Sequence, residues 1–137
     1  VRVFLDSSVL LAACGSRRGA SRSLFAGRGR DRLELVTSEW CLVEVERNLP
    51  VLGSSGARTW RRIVPRLKVI RTELVLDRPL VLSAAKDRPV LISALAARCE
   101  ALLTLDRVDF PRRLGPAVYG MRLMTPGEWL RENRGVK

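Results

Sequence analysis

The chain is 137 residues long, 47% hydrophobic and strongly basic, with 25 Lys and Arg against 14 Asp and Glu for a net charge of +11. That length suits one domain with a core of its own, needing neither disulfides nor a structural metal, and no apolar run approaches the roughly 20 residues that span a bilayer. There is no histidine, which excludes Ser-His-Asp and Cys-His catalysis, His-ligated zinc and imidazole acid–base chemistry.

Any catalysis must therefore rest on carboxylates, metal ions, hydroxyls, Lys or Arg. Cys14, Cys41 and Cys99 are odd in number, far apart and without metal-ligand spacing, so they read as buried free thiols in a reducing cytoplasm. The chain opens on a strand-like run instead of a basic segment with a cleavage site, and no secretory leader is expected. The charge points to a polyanionic partner, nucleic acid first. A high-GC genome alone can enrich arginine, but these arginines cluster. Arg17, Arg18, Arg22, Arg28, Arg30 and Arg32 crowd one region, and Arg58, Arg61, Arg62 and Arg66 recur at helical spacing.

In chain order, apolar runs predict strands over 1–5, 33–37, 67–71, 101–105 and 119–124. Helix-like stretches lie between them, over 8–13, 20–26, 38–49, 57–64, 80–85 and 88–98. Pro50 ends one helix, and the Gly- and Ser-rich segment 51–56 reads as the loop to the next. Strands alternating with helices imply βαβ units. The strands are continuous apolar runs, as a sheet covered on both faces requires. The expected fold is α/β and three-layered: one domain over 1–137, with a mainly parallel sheet of about five strands and helices on both faces.

Four acids stand near element boundaries. Asp6 closes the first strand and is followed by the hydroxyls of Ser7 and Ser8; an N-cap of the next helix is the plainer alternative. Glu44 lies on the helix whose apolar stripe is Cys41, Val45 and Leu49. At 100° per residue Glu44 falls at one margin of that stripe and Glu46 at the other, so geometry does not choose between them. Asp87 projects onto the middle of the stripe formed by Val90, Leu91, Ala94 and Leu95, and a carboxylate there needs backbone amides or a cation. Pro89 in the first turn fits a cap at Asp87 equally well. Asp106 closes the fourth strand, with Asp109 three residues on; two acids in a short loop also suit a turn. Were the first and fourth strands parallel neighbours, Asp6 and Asp106 would emerge together at the carboxyl edge of the sheet, where such folds bind ligands.

These segments resemble the PIN-domain nucleases, particularly the small single-domain bacterial toxins of the VapC type. Val3-Phe4-Leu5-Asp6-Ser7-Ser8 is similar to that family's opening strand and first acid, although Ser7-Ser8 stands where Thr-Asn is more usual. Thr37-Ser38 followed by Glu44 resembles its second motif, and Asp87 before a helix rich in small residues its third. Thr104-Leu105-Asp106 with Asp109 resembles the fourth, and Met124-Thr125-Pro126-Gly127-Glu128-Trp129-Leu130 its usual ending. The likeness covers essentially the whole chain in order. It implies a metal site of Asp6, Glu44, Asp87 and Asp106 with Asp109 as an accessory acid, and it selects Glu44 over Glu46. It also implies a homodimer and a small antitoxin partner that blocks the acidic site.

The expectation is a Mg²⁺- or Mn²⁺-dependent endoribonuclease, since oxygen ligands suit those cations and the absence of His or clustered Cys argues against zinc. Asp6, Glu44, Asp87 and Asp106 are the catalytic candidates, and Asp6, Asp87, Asp106 and Asp109 the metal ligands. Ser7 and Thr104 would support them by hydrogen bonds, and Arg17, Arg18 and Arg22 would contact RNA phosphates. A PIN-like RNA-binding protein without cleavage activity is the main alternative. A phosphatase using Asp6 as nucleophile would need an acid where Ser8 stands, and a nucleotide-binding module would need glycines that 5–13 lacks.

Overall fold

Strand β1 (Arg2–Leu5) leads into helix α1 (Ser7–Gly15) and the short α2 (Ala20–Ser23). Strand β2 (Glu34–Ser38) is followed by α3 (Glu39–Asn48), a 3₁₀ turn (Leu49–Leu52) and α4 (Gly53–Ile63). A second 3₁₀ turn (Val64–Arg66) precedes β3 (Lys68–Ile70). Then come α5 (Arg88–Ala96), β4 (Ala101–Leu103), β5 (Ala117–Val118), β6 (Met121–Met124) and α6 (Pro126–Glu132). This computed structural model describes residues 1–16, 18–26, 33–74, 88–105 and 117–133. The helix predicted over 80–85 lies outside them.

The strands form one sheet in the order β3-β2-β1-β4-β6-β5, parallel throughout except for the β5–β6 pair. Strand β1 sits between β2 and β4, with Phe4 opposite both Val36 and Leu102. The chain steps outward from β1 to β2 and β3, then returns to the other side of β1 for β4. Where the winding reverses, neighbouring crossovers leave on opposite faces and a crevice opens at the carboxyl ends of the strands. In this sheet that crevice lies between β1 and β4, immediately beyond Leu5 and Leu103.

Side-chain alternation divides the core in two. Val3, Leu5, Leu35, Ala101 and Leu103 face α1, α4 and α6, where Val9, Leu10, Trp60, Ile63 and Trp129 are buried. Phe4, Val36, Leu102 and Leu123 face the opposite way, against Val90, Leu91, Ala94 and Leu95 of α5. Helix α3 contributes to both layers, Cys41 to the second and Val45 to the first, and both are fully buried. Helices therefore cover both faces, which explains the unbroken apolar runs Val3–Leu5 and Ala101–Leu103 at the middle of the sheet.

Two details differ from the expectation. The sheet has six strands because the run 119–124 is one arm of a hairpin: Val118 pairs with Met121 across Tyr119–Gly120, both with positive φ (47° and 82°). That geometry is the turn whose twist matches paired strands, and a non-glycine residue there costs about 1–2 kcal/mol. Helix α4 also begins at Gly53, inside the segment read as a loop. Gly56 is buried, and a Cβ on it would stand 2.5 Å from Leu52 Cβ. The glycine that suggested a loop lets the helix pack tightly on the preceding turn.

Candidate active site

Asp6 occupies the N-cap position of α1, yet its side chain makes no capping hydrogen bond. Its backbone is tied to β4 by the amide, which donates to the Leu103 carbonyl at 3.0 Å. Its carboxylate, only 8% exposed, turns to the neighbouring strand end instead. Oδ2 accepts from Thr104 Oγ1 at 2.9 Å and from Ser8 Oγ at 3.0 Å. Ser8 Oγ accepts in turn from the Leu105 amide at 3.0 Å. Asp6, Ser8 and the residues leaving β4 are thus one hydrogen-bonded unit at the crevice.

The hydroxyl that joins Thr104 on Asp6 is Ser8, one residue beyond the Ser7 singled out from the sequence; Ser7 is buried beside it. Helical side chains lean toward the N-terminus, so the second residue of α1 covers the cap, a signal that a strand-end reading does not use. Thr104 is 1% exposed, and its hydroxyl is committed to the carboxylate.

The end of β2 sets the direction of α3. Thr37 Oγ1 donates to the Leu5 carbonyl at 2.9 Å, and Ser38 Oγ caps α3 by accepting from the Cys41 amide at 3.3 Å. Both residues are fully buried. Glu44 lies six residues past that cap, about 9 Å of helix rise, and is half-buried, whereas Glu46 is exposed. The negative fields of Asp6 and Glu44 both reach Cys41, whose thiol is pushed up to about 11, chiefly by burial and next by Asp6. Cys41 and Glu44 are three residues apart on α3 and so share a side of that helix.

Asp87, Asp106 and Asp109 lie outside the described residues, as does Arg17. Among the described residues no three acids or thiols group as a metal set. Arg18 is exposed. Arg22 is half-buried, its Nε donating to the Ala13 carbonyl and its Nη2 to Thr59 Oγ1 at 3.3 Å.

The donor chemistry around Asp6 fits a hard cation. Every polar side chain mapped there is a carboxylate or a hydroxyl, and the chain has no histidine. The three cysteines are free and buried. Burial raises the Cys14 thiol, and Cys99 is pushed up to about 12 by the same cause. All three stay protonated at neutral pH and are poor metal ligands. Native protein is accordingly expected to resist alkylation near pH 8 and to take up three equivalents of reagent once unfolded in urea. Rapid labelling of Cys41 in the folded protein would contradict this packing.

A family model described as PIN domain matches residues 2–108. No curated protein matches the chain in sequence. Among solved structures, a crystal structure of VapBC2 from Rickettsia felis bound to a DNA fragment from their promoter superposes with a TM-score of 0.63. That match covers 90% of this chain and 97% of that one, at 13% sequence identity, so the likeness is one of fold.

Proposed function

The chain belongs to the PIN-domain family, a family of nucleases, and on that premise we propose that it is a metal-dependent endoribonuclease acting as the toxin of a toxin–antitoxin pair. The observation that supports this best is the commitment of Asp6. A carboxylate at the N-cap position that leaves its helix amides and takes two hydroxyls at the switch point of the sheet is held for something other than capping.

Asp6, Asp87 and Asp106, with Asp109 as an accessory acid, would hold Mg²⁺ or Mn²⁺. When bound, such an ion supplies Lewis acidity at the phosphate and lowers the pKa of a bound water. Thr104 and Ser8 keep the Asp6 carboxylate in one orientation, with Ser7 beside them. Glu44 orients the attacking water from α3. Arg17, Arg18 and Arg22 contact backbone phosphates.

A solved structure with the same fold is VapBC2 bound to a DNA fragment from their promoter, which supports a small antitoxin that blocks the acidic site. A homodimer in the cytoplasm completes the reading. No helix among the described residues is long and apolar enough to cross a membrane.

The test is cleavage. Purified protein should cut RNA in Mg²⁺ or Mn²⁺ and stop when EDTA is added. Undiminished cleavage in EDTA would overturn the mechanism, and RNA retained intact in both metals would identify a binding protein.

A further inference from the structure

Arg22 and the arginines of α4 are 36 or more residues apart in sequence, yet they line one cavity of about 620 Å³. Its walls are Cys14 and Gly15 at the end of α1, Arg22 of α2, and Ser55, Arg58, Thr59, Arg61 and Arg62 of α4. Arg22 has a structural task, bridging the last turn of α1 to Thr59. The other three do not. Arg58, Arg61 and Arg62 are exposed, and no acid among the described residues pairs with them. Like charges side by side in water repel only weakly. A fold tolerates that cost easily, and an anion entering the cavity reverses it.

The cavity is distinct from the carboxylate site. Helix α1 begins at the crevice and ends at the cavity, so about 12 Å of helix rise separates Asp6 from Cys14. We infer that this cavity is a second nucleic-acid site, one that grips the phosphodiester backbone of RNA away from the point of cleavage.

The lining chooses the ligand. Guanidinium forks match phosphate oxygens in pairs, and the hydroxyls of Ser55 and Thr59 stand among them. An acidic protein segment would need apolar pockets for its anchoring side chains, and among the described lining residues only Cys14 and Gly15 are not polar. Among the described residues no aromatic side chain lines the cavity, so a base finds no stacking partner in these walls. The site therefore takes backbone and is blind to sequence. Any preference for a cleavage sequence must arise elsewhere.

This inference rests on the RNA reading above, and binding measured in EDTA separates the two. The measurement is fluorescence anisotropy with labelled 20-mers of oligo-U and oligo-A, across a salt series, for wild type and the triple variant Arg58→Ala, Arg61→Ala, Arg62→Ala. The three side chains are exposed, so the variant should melt with the wild type. Its Kd for both oligomers should weaken tenfold or more at low salt, and its salt slope should fall by about 2, at roughly 0.7 per lost contact. In Mg²⁺, kcat at saturating RNA should stay within twofold while KM rises. Unchanged Kd and slope would overturn the inference, as would a loss confined to one base. So would unchanged RNA binding in a variant that has lost the wild type's affinity for poly-glutamate, because the cavity would then be a protein-docking face. Wild type that binds through these arginines but never cuts would refute the nuclease reading and leave the cavity's role standing.

Discussion

Replacing Asp6 with Asn is expected to abolish RNA cleavage while leaving the protein folded. Asn keeps a carbonyl oxygen that can accept from Thr104 and Ser8, which now donate to Oδ2 at 2.9 and 3.0 Å. What disappears is the negative charge. A cluster of carboxylates is strained by mutual repulsion without a cation, so the melting temperature should hold or rise. A companion change separates charge from orientation. Thr104→Val keeps the carboxylate and removes one of the two hydroxyls that hold it among the described residues, and supporting residues of this kind typically change metal affinity or activity by about 10- to 100-fold. Added Mn²⁺ should recover part of that loss and none of the loss at Asp6. Substantial cleavage by Asp6→Asn, with a normal melting curve, would remove Asp6 from the chemistry.

The sequence was most legible where pattern and packing coincide. Residues 1–5 and 101–105 read as strands because both sheet faces are covered, and the structure places β1 and β4 as parallel neighbours. The stripe of Val90, Leu91, Ala94 and Leu95 is buried as its period implies. Strand order was not legible, because nothing local states that β1 pairs with β4 as well as with β2. The two-residue β5 is too short for any period, and only the paired positive φ angles at Tyr119 and Gly120 reveal the hairpin. Gly53 and Gly56 misled for a related reason, since a glycine that breaks a helix and one that lets a helix pack closely look alike in sequence.

At the site, the limits were set by direction and distance. Ser7 and Ser8 are equivalent as letters; the lean of helical side chains toward the N-terminus puts Ser8 on Asp6. The arginines were visible as two clusters, but only the packing of α1 against α4 brings Arg22 to the same cavity as Arg58, Arg61 and Arg62. That packing also changes what a mutation at Arg22 reports. Its truncation would strip the Ala13 carbonyl and Thr59 of a partner, so any loss of RNA binding would be mixed with a loss of stability.

The choice between Glu44 and Glu46, open on helical projection, becomes a sharp expected difference. Glu44 is half-buried and one turn from the fully buried Cys41 on α3, whereas Glu46 is exposed. A carboxylate that orients water must stay charged and close to the other acids, so Glu44→Gln should cripple kcat. The same change at Glu46 removes one exposed charge, which solvent and salt already screen, and should leave kcat within about twofold. RNA affinity in EDTA gives the second axis of the comparison. Both variants remove a negative charge, so on the RNA reading proposed above both should bind slightly tighter, and the kcat difference cannot come from weakened binding. If Glu46→Gln proved the more damaging, α3 would present its other margin to the site. If both were mild, the water would be oriented by Asp87, Asp106 or Asp109 instead, and α3 would serve only to bury Cys41 and Val45 against the two layers of the core.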